Sequence, residues 1–121
     1  MSTMRNSVTL IGRPGADPTM KTFENNRSVA HFSLAVNEPY QNAQKEWVNN
    51  TQWFNMVAWD KMAESLSKYV RKGRRIAVTG RLRTRDWSDA AGHHEITEVQ
   101  IDDFFLIDRD QTAANPATQT N

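Results

Sequence analysis

The chain has 121 residues, 24% of them charged and 38% apolar, enough for one domain with a real core, and it contains no cysteine, which excludes disulfides and thiol chemistry. No apolar run is long enough for a transmembrane helix, and the opening MSTMRNSVTL has neither a signal-peptide core nor transit-peptide character, so a cytoplasmic location is expected. The net charge is only +1 but is segregated: residues 71–85 hold seven basic residues and no acid, and residues 86–110 hold eight acids and one arginine.

In chain order, NSVTLIGRP reads as a strand that ends in the Gly/Pro-rich turn RPGADP. The short TMKTF that follows is expected to extend or bend the first strand pair. VAHFSLAV alternates, with Ala30, Phe32, Leu34 and Val36 on one side. NEPYQNAQKEWVNN is polar and too long for a tight hairpin turn; loops of this length are often functional. TQWFNMVAW places Trp53, Asn55, Val57 and Trp59 on one parity and Phe54, Met56 and Ala58 on the other. DKMAESLSKYVRKG is the one convincing helix. Asp60 is placed to cap it, Met62, Leu66, Tyr69 and Val70 have helical spacing, Arg71 and Lys72 suit its C-terminal end, and Gly73 can supply a left-handed stop. RRIAVTGRLRTRDW is a strand with Ile76, Val78 and Leu82 on the inward parity; SDAAGH turns, and HEITEVQIDDFFLI returns.

Three strands, a helix and two more strands predict an all-β fold with one short helix: an OB-fold, the five-stranded Greek-key barrel. Residues 1–110 form its domain. The remainder, QTAANPATQTN, has no charge and no large apolar side chain and is expected to be a disordered tail of residues 111–121.

The chemistry sits on RLRTRDW. Arg81, Arg83, Arg85 and Trp87 share a parity, and arginine is almost never fully buried without a partner. A single strand tryptophan is usually core, and a charge run is usually a solvated face. Here the parity opposite Trp53 and Trp59 already supplies the core residues, and arginines alternate with other residues instead of clustering in a loop. Indoles open to solvent beside guanidinium groups suit single-stranded nucleic acid. Its bases present free π-faces, each worth about 1–3 kcal/mol when stacked on an aromatic ring, and arginine neutralises phosphates. Neither contact reads base identity well, so sequence tolerance is expected.

TQWFNMVAWDKMAESLSKYVRKG followed by VTGRLRTRDWSD resembles the bacterial and mitochondrial single-stranded DNA-binding proteins, whose pattern runs T-E-W, an aromatic, K-x-A-E, Y-x-x-K-G and G-x-L-R-T-R-x-W. VTLIGRPGADP looks like their first strand and turn. The resemblance implies a homotetramer around which single-stranded DNA wraps, acting in replication, recombination and repair. It implies base stacking at Tyr40, Trp53, Trp59 and Trp87, with Tyr40 standing where Trp is more common and Trp59 where Phe is. It matches Arg71, Lys72, Arg81, Arg83 and Arg85 to a basic groove, and Phe54 to a position near subunit contacts where His is frequent. Family members usually carry an acidic tip that closes in Pro-Phe and recruits other enzymes. This sequence closes in PATQTN, so tip-mediated partners are not expected.

Other signals are weaker. His93, His94 and Glu95 hint at a metal site, but neighbours on a strand point to opposite faces. Glu98, Asp102 and Asp103 hint at a metal-dependent nuclease, but adjacent carboxylates on an extended chain diverge too. GRPG is no P-loop, His31 reads as a strand residue and not a base, and Trp47 is unassigned. No metal, cofactor, catalytic residue or membrane contact is expected. The competing readings are an RNA-binding or replication-restart OB protein, a nuclease and a purely structural oligomer. If the final segment plays no part in binding, deleting residues 111–121 leaves affinity for oligo-dT within about twofold of wild type by fluorescence anisotropy, since no ring or cation is lost; a large loss contradicts this.

Overall fold

The computed structural model describes residues 4–107. The strands are β1 (Val8–Pro14), β2 (Thr19–Thr22), β3 (Ser28–Asn37), β4 (Tyr40–Gln41), β5 (Trp47–Val48), β6 (Thr51–Trp59), β7 (Ile76–Asp89) and β8 (Gly92–Leu106), and one helix, α1 (Asp60–Tyr69), lies between β6 and β7.

The main sheet runs β1-β7-β8-β6-β3, and β1 pairs again with β3 through Arg13↔Ala35 and Pro14↔Leu34. That second pairing closes a five-stranded ring with the expected OB topology. Every neighbouring pair in it is antiparallel except β6 and β8, which run parallel through Met56↔Val99 and Val57↔Gln100. β2 is not part of the ring. It pairs with the Ser28–His31 end of β3, on the same edge that β1 occupies further along, so it extends the first strand pair as the sequence predicts.

The interior is filled by alternate residues. Ala30, Phe32, Leu34 and Val36 from β3, Met56 and Ala58 from β6, and Ile76 and Val78 from β7 are buried, with Val99 and Ile101 from β8. α1 packs against the same core with Ala63 and Leu66, followed by Val70. Tyr69 is exposed, so the apolar stripe is Met62, Ala63, Leu66 and Val70 instead of the predicted set.

Local details differ from expectation in four further places. Asp60 does not cap its own helix. Trp59 is the N-cap and makes no side-chain bond. The Asp60 carboxylate turns instead to the β2–β3 turn, accepting from Arg27 Nε at 3.0 and 3.1 Å and from Ser28 N at 3.2 Å. At the other end Val70 is already extended, so Gly73 is not the helix stop. With φ of 79°, Gly73 serves the turn into β7, where Arg74 N donates to Arg71 O. Arg71 does close the helix, its Nη1 donating to the carbonyls of Ser67 and Val70 at 2.7 Å.

The other two differences concern loops and arms. The 38–50 segment carries a small hairpin, β4 against β5, whose turn is held by Asn42 Oδ1 accepting from the backbone of Gln44 and Glu46. Leu82 is 48% exposed, although Ile76 and Val78 on its parity are buried. β7 pairs with both β1 and β8 only as far as Gly80, where the ladder carries a bulge. Beyond it β1 no longer pairs with β7, although the Asn6 side chain still bonds the Leu82 backbone; Leu82 faces Val99 at the rim of the core, and from Arg83 onward β7 and β8 continue as a two-stranded arm.

The hydrogen bond from Arg27, then that from Ser28 N, holds the Asp60 carboxyl below the usual carboxylate range. A lowered folded-state pKa contributes stability that is present above the unfolded value, about 4, and lost as pH falls through the folded one. Asp60→Asn therefore lowers the melting temperature by a constant amount between about pH 5 and 8, and the deficit shrinks below about pH 4. An equal deficit at pH 3 and pH 7 contradicts this role.

Candidate nucleic-acid interface

With Phe54, Met56 and Ala58 turned toward the core, β6 presents Trp53, Asn55, Val57 and Trp59 to the other side. Trp53 is 60% exposed and Trp59 36%. The register carries this face across the sheet: Val57 lies opposite His31 of β3 and pairs with Gln100 of β8, and Glu98 on β8 lies opposite Arg83 of β7. Residues from β2, β3, β6, β7 and β8 thus line one continuous trough.

Two adjoining clefts, of about 520 and 540 Å³, occupy it. The first is bounded by Trp53 and includes Asn55, Ile96 and the Gly15–Asp17 turn. The second is bounded by Trp59 and Phe23 and includes Lys21, Arg83 and Gln100. Thr19, His31, Arg85 and Glu98 line both and form the ridge between them. Each cleft thus offers an indole at one end and shares a guanidinium with its neighbour.

The rings are seated by specific neighbours. A Cβ on Gly15 would lie 2.7 Å from Trp53 Cζ3, so the absence of a side chain there lets the indole lie against the turn. Trp59 stacks on Phe23 with centroids 6.3 Å apart, and the Arg27 guanidinium sits 5.0 Å from its ring. Arg27 is itself fixed by Asp60, so the ion pair at the helix start also positions a cation on a stacking ring. Lys21 Nζ lies 5.1 Å from the Phe23 ring. On the arm, Trp87 is 42% exposed, stacks on His94 at 5.3 Å and carries the Arg85 guanidinium 5.0 Å from its ring.

The structure brings Trp53, Trp59, Arg83 and Arg85 together in the trough and joins Trp87 to them through Arg85. Arg81 shares their strand parity and lies opposite Gln100, half-buried, lining neither cleft; its Nε is buried without a hydrogen-bond partner. Tyr40 is exposed but belongs to the separate hairpin. Trp47, also exposed, pairs with Gln41 and so lies on the hairpin's opposite face. Arg71 and Lys72 stand at the end of α1, where Arg71 closes the helix and Lys72 N donates to Asp17, and neither lines a cleft. Phe54 packs, half-buried, against the core.

Four contributors escape a sequence reading. Phe23 and Lys21 share a parity in TMKTF, the one available signal, but which strand faces them depends on register. Arg27 lies inside a polar turn, and His94 is assigned to Trp87 only by the pairing Trp87↔His94. The weaker signals also resolve. His94 turns to Trp87 and Asp89, whereas His93 turns to the arm's other side. There it meets Asp86 across the hairpin and Glu95 two residues on, the donor atoms lying within 4.8 Å of one another. Adjacent residues diverge as expected, yet the cross-strand group is one that sequence spacing does not reveal. Glu98 is bound to Arg85 in the trough, while Asp103 accepts from the backbone of Phe104 on the barrel, so these carboxylates do not converge on one cleft.

Three comparisons bear on what such a trough does. The family described as "Single-strand binding protein family" matches residues 5–107. "Single-stranded DNA-binding protein 1" of Lactococcus lactis is 36% identical over 110 residues, 90% of this chain and 72% of that protein. The "Single-stranded DNA-binding protein" of Caldanaerobacter subterraneus is 42% identical over 106 residues, 87% and 69% of the two chains. Among solved structures, "Plasmodium falciparum SSB complex with ssDNA" superposes with a TM-score of 0.77 at 34% identity, over 89% of this chain and 99% of the other.

If the open indoles are the contact surface, Trp53→Ala weakens binding of labelled oligo-dT by about 1–3 kcal/mol in anisotropy titrations. Gly15→Ala, which displaces that ring without removing it, costs less and leaves the melting temperature nearly unchanged. Unaltered affinity in a folded Trp53→Ala variant contradicts the assignment.

Proposed function

This chain belongs to the single-strand binding protein family, and from that premise we propose that it holds single-stranded DNA along the trough, stacking bases on Trp53 and Trp59 while Arg83 and Arg85 meet the backbone. The protein binds single-stranded DNA and is not an enzyme; its family's work is to cover exposed strands in replication, recombination and repair. The observation that carries the site assignment is the pair of adjoining clefts, each with an open indole and both lined by Arg85. Trp87, held against Arg85, extends the path along the arm. Tyr40 on its hairpin and Arg71 and Lys72 beyond the clefts serve a strand long enough to leave the trough, and Arg81 adds charge at the arm's base.

Assembly as a homotetramer is the second part of the proposal. Ile11, Ala77 and Phe105 form one row across β1, β7 and β8, and Ile11 and Phe105 are exposed, with Ile107 exposed close by. An open apolar row on a sheet away from the trough is a surface that association would cover. Phe54 is assigned to the same assembly, its exposed part covered by another copy. Residues 1–110 are proposed as the binding domain, with residues 111–121 outside it. The proposed location is the cytoplasm, at the nucleoid; no helix of the described residues is long and apolar enough to cross a membrane.

A fluorescence titration with poly-dT at several salt concentrations tests the function. Tryptophan emission is quenched on binding. Neutralising about five phosphates, at roughly −0.7 each for a single strand, gives a slope of log K against log salt near −3.5. A flat salt dependence, tighter binding to matched RNA, or cleavage of labelled strands in magnesium each contradicts the proposal.

A further inference from the structure

The ridge between the clefts is built around a carboxylate. Glu98 is 5% exposed, yet its side chain points into a face proposed to receive polyanion. Arg85 donates to it through Nε at 3.1 Å and Nη2 at 3.4 Å. His31 Nε2 lies 3.5 Å from Glu98 Oε2, the oxygen that also accepts from Arg85 Nη2, and the His31 side chain is 42% exposed. The remaining charged groups around His31 are Lys21 from β2, Asp17 from the β1–β2 turn and Arg83 from β7; β6 contributes Asn55 and Val57 and no charge.

A buried carboxylate is stable only with a cationic or donor partner, and Arg85 is that partner in the free protein. Arg85 also lines both clefts, so it is the guanidinium a phosphate on the ridge would meet. One guanidinium then faces two anions. The group able to supply the missing positive charge is His31, whose ring is already beside Glu98 and open to solvent, and whose type titrates close to neutrality. A nearby phosphate favours the protonated imidazole, and by linkage protonation must favour the phosphate.

We propose that backbone phosphate entering the ridge shares Arg85 with Glu98 and that a proton is taken up at His31, which then pairs with Glu98. Binding of single-stranded DNA therefore tightens as pH falls through the imidazole range. Glu98 and His31 act here as positioning residues, through Arg85. This rests on the assignment of the trough as the DNA path.

The test is affinity for oligo-dT, whose base does not titrate near neutrality, between about pH 5.5 and 8.5 at constant ionic strength. Linked uptake of a single proton gives the wild type a gain in affinity of at most about tenfold per pH unit within that range. His31→Gln is flat at the wild type's high-pH level, and His31→Lys is flat at or above its low-pH level. His94→Gln, which alters the imidazole stacked on Trp87, keeps the wild-type slope. Glu98→Gln reduces the slope; should that buried substitution fail to fold, the solvent-accessible His31 variants still decide. A flat wild-type profile, an undiminished slope in His31→Gln, or loss of the slope in His94→Gln overturns the proposal. Trp53→Ala separates the two levels. If it still weakens binding while the profile is flat, only the proton uptake fails; if it has no effect, the trough assignment fails as well.

Discussion

The nine residue pairs between β6 and β3 are the constraint on which the rest depends. They fix the parity of β6, so that Met56 and Ala58 enter the barrel opposite Phe32 and Ala30. The other parity of β6 carries Trp53 and Trp59, both open to solvent, with Val57 buried between them on the trough floor. A slip of one residue would bury indoles where methionine and alanine now pack and would expose the core residues. The position of the exposed indoles is thus a consequence of the core, and both are encoded in one nine-residue stretch.

The neighbouring strands convert two exposed rings into a site. Closure of the ring by β1 and the parallel contact of β8 with β6 bring Glu98 and Gln100 alongside Val57, and the β7–β8 ladder sets Arg83 and Arg85 beside them. The arm beyond Leu82 pairs with no third strand, so Arg85 and Trp87 rely on their cross-strand partners Glu98 and His94 for position. The helix contributes at a distance. Its first residue anchors Arg27, and Arg27 lies over Trp59. Core packing, an ion pair at a helix start and the placement of a stacking ring are therefore one connected arrangement.

Much of this is legible in the amino-acid order because alternation reports burial directly. VAHFSLAV and TQWFNMVAW declare their inward residues, the helix segment does so at Met62, Leu66 and Val70 but not at the exposed Tyr69, and the arginine parity of RLRTRDW declares an open face. What is not legible depends on partners distant in sequence. Leu82 fits the inward parity, but nothing local says that β1 has ended beneath it. Asp60 stands where an N-cap belongs, yet Arg27 and the Ser28 amide compete for its carboxylate and win. Phe23 joins Trp59 only through the β2–β3 register, and Glu98 resembles any other acid of its run until Arg85 is placed against it. Arg71 also closes the helix, its Nη1 donating to two carbonyls, a contact its type alone does not announce.

The most direct measurement follows the indole N–H resonances of Trp53, Trp59 and Trp87 in heteronuclear NMR spectra while oligo-dT is added. Bases stacking in the trough shift the Trp53 and Trp59 signals together, with Trp87 following as longer strands reach the arm. Saturating DNA that perturbs other parts of the protein while all three indole signals stay in place would contradict the central claim.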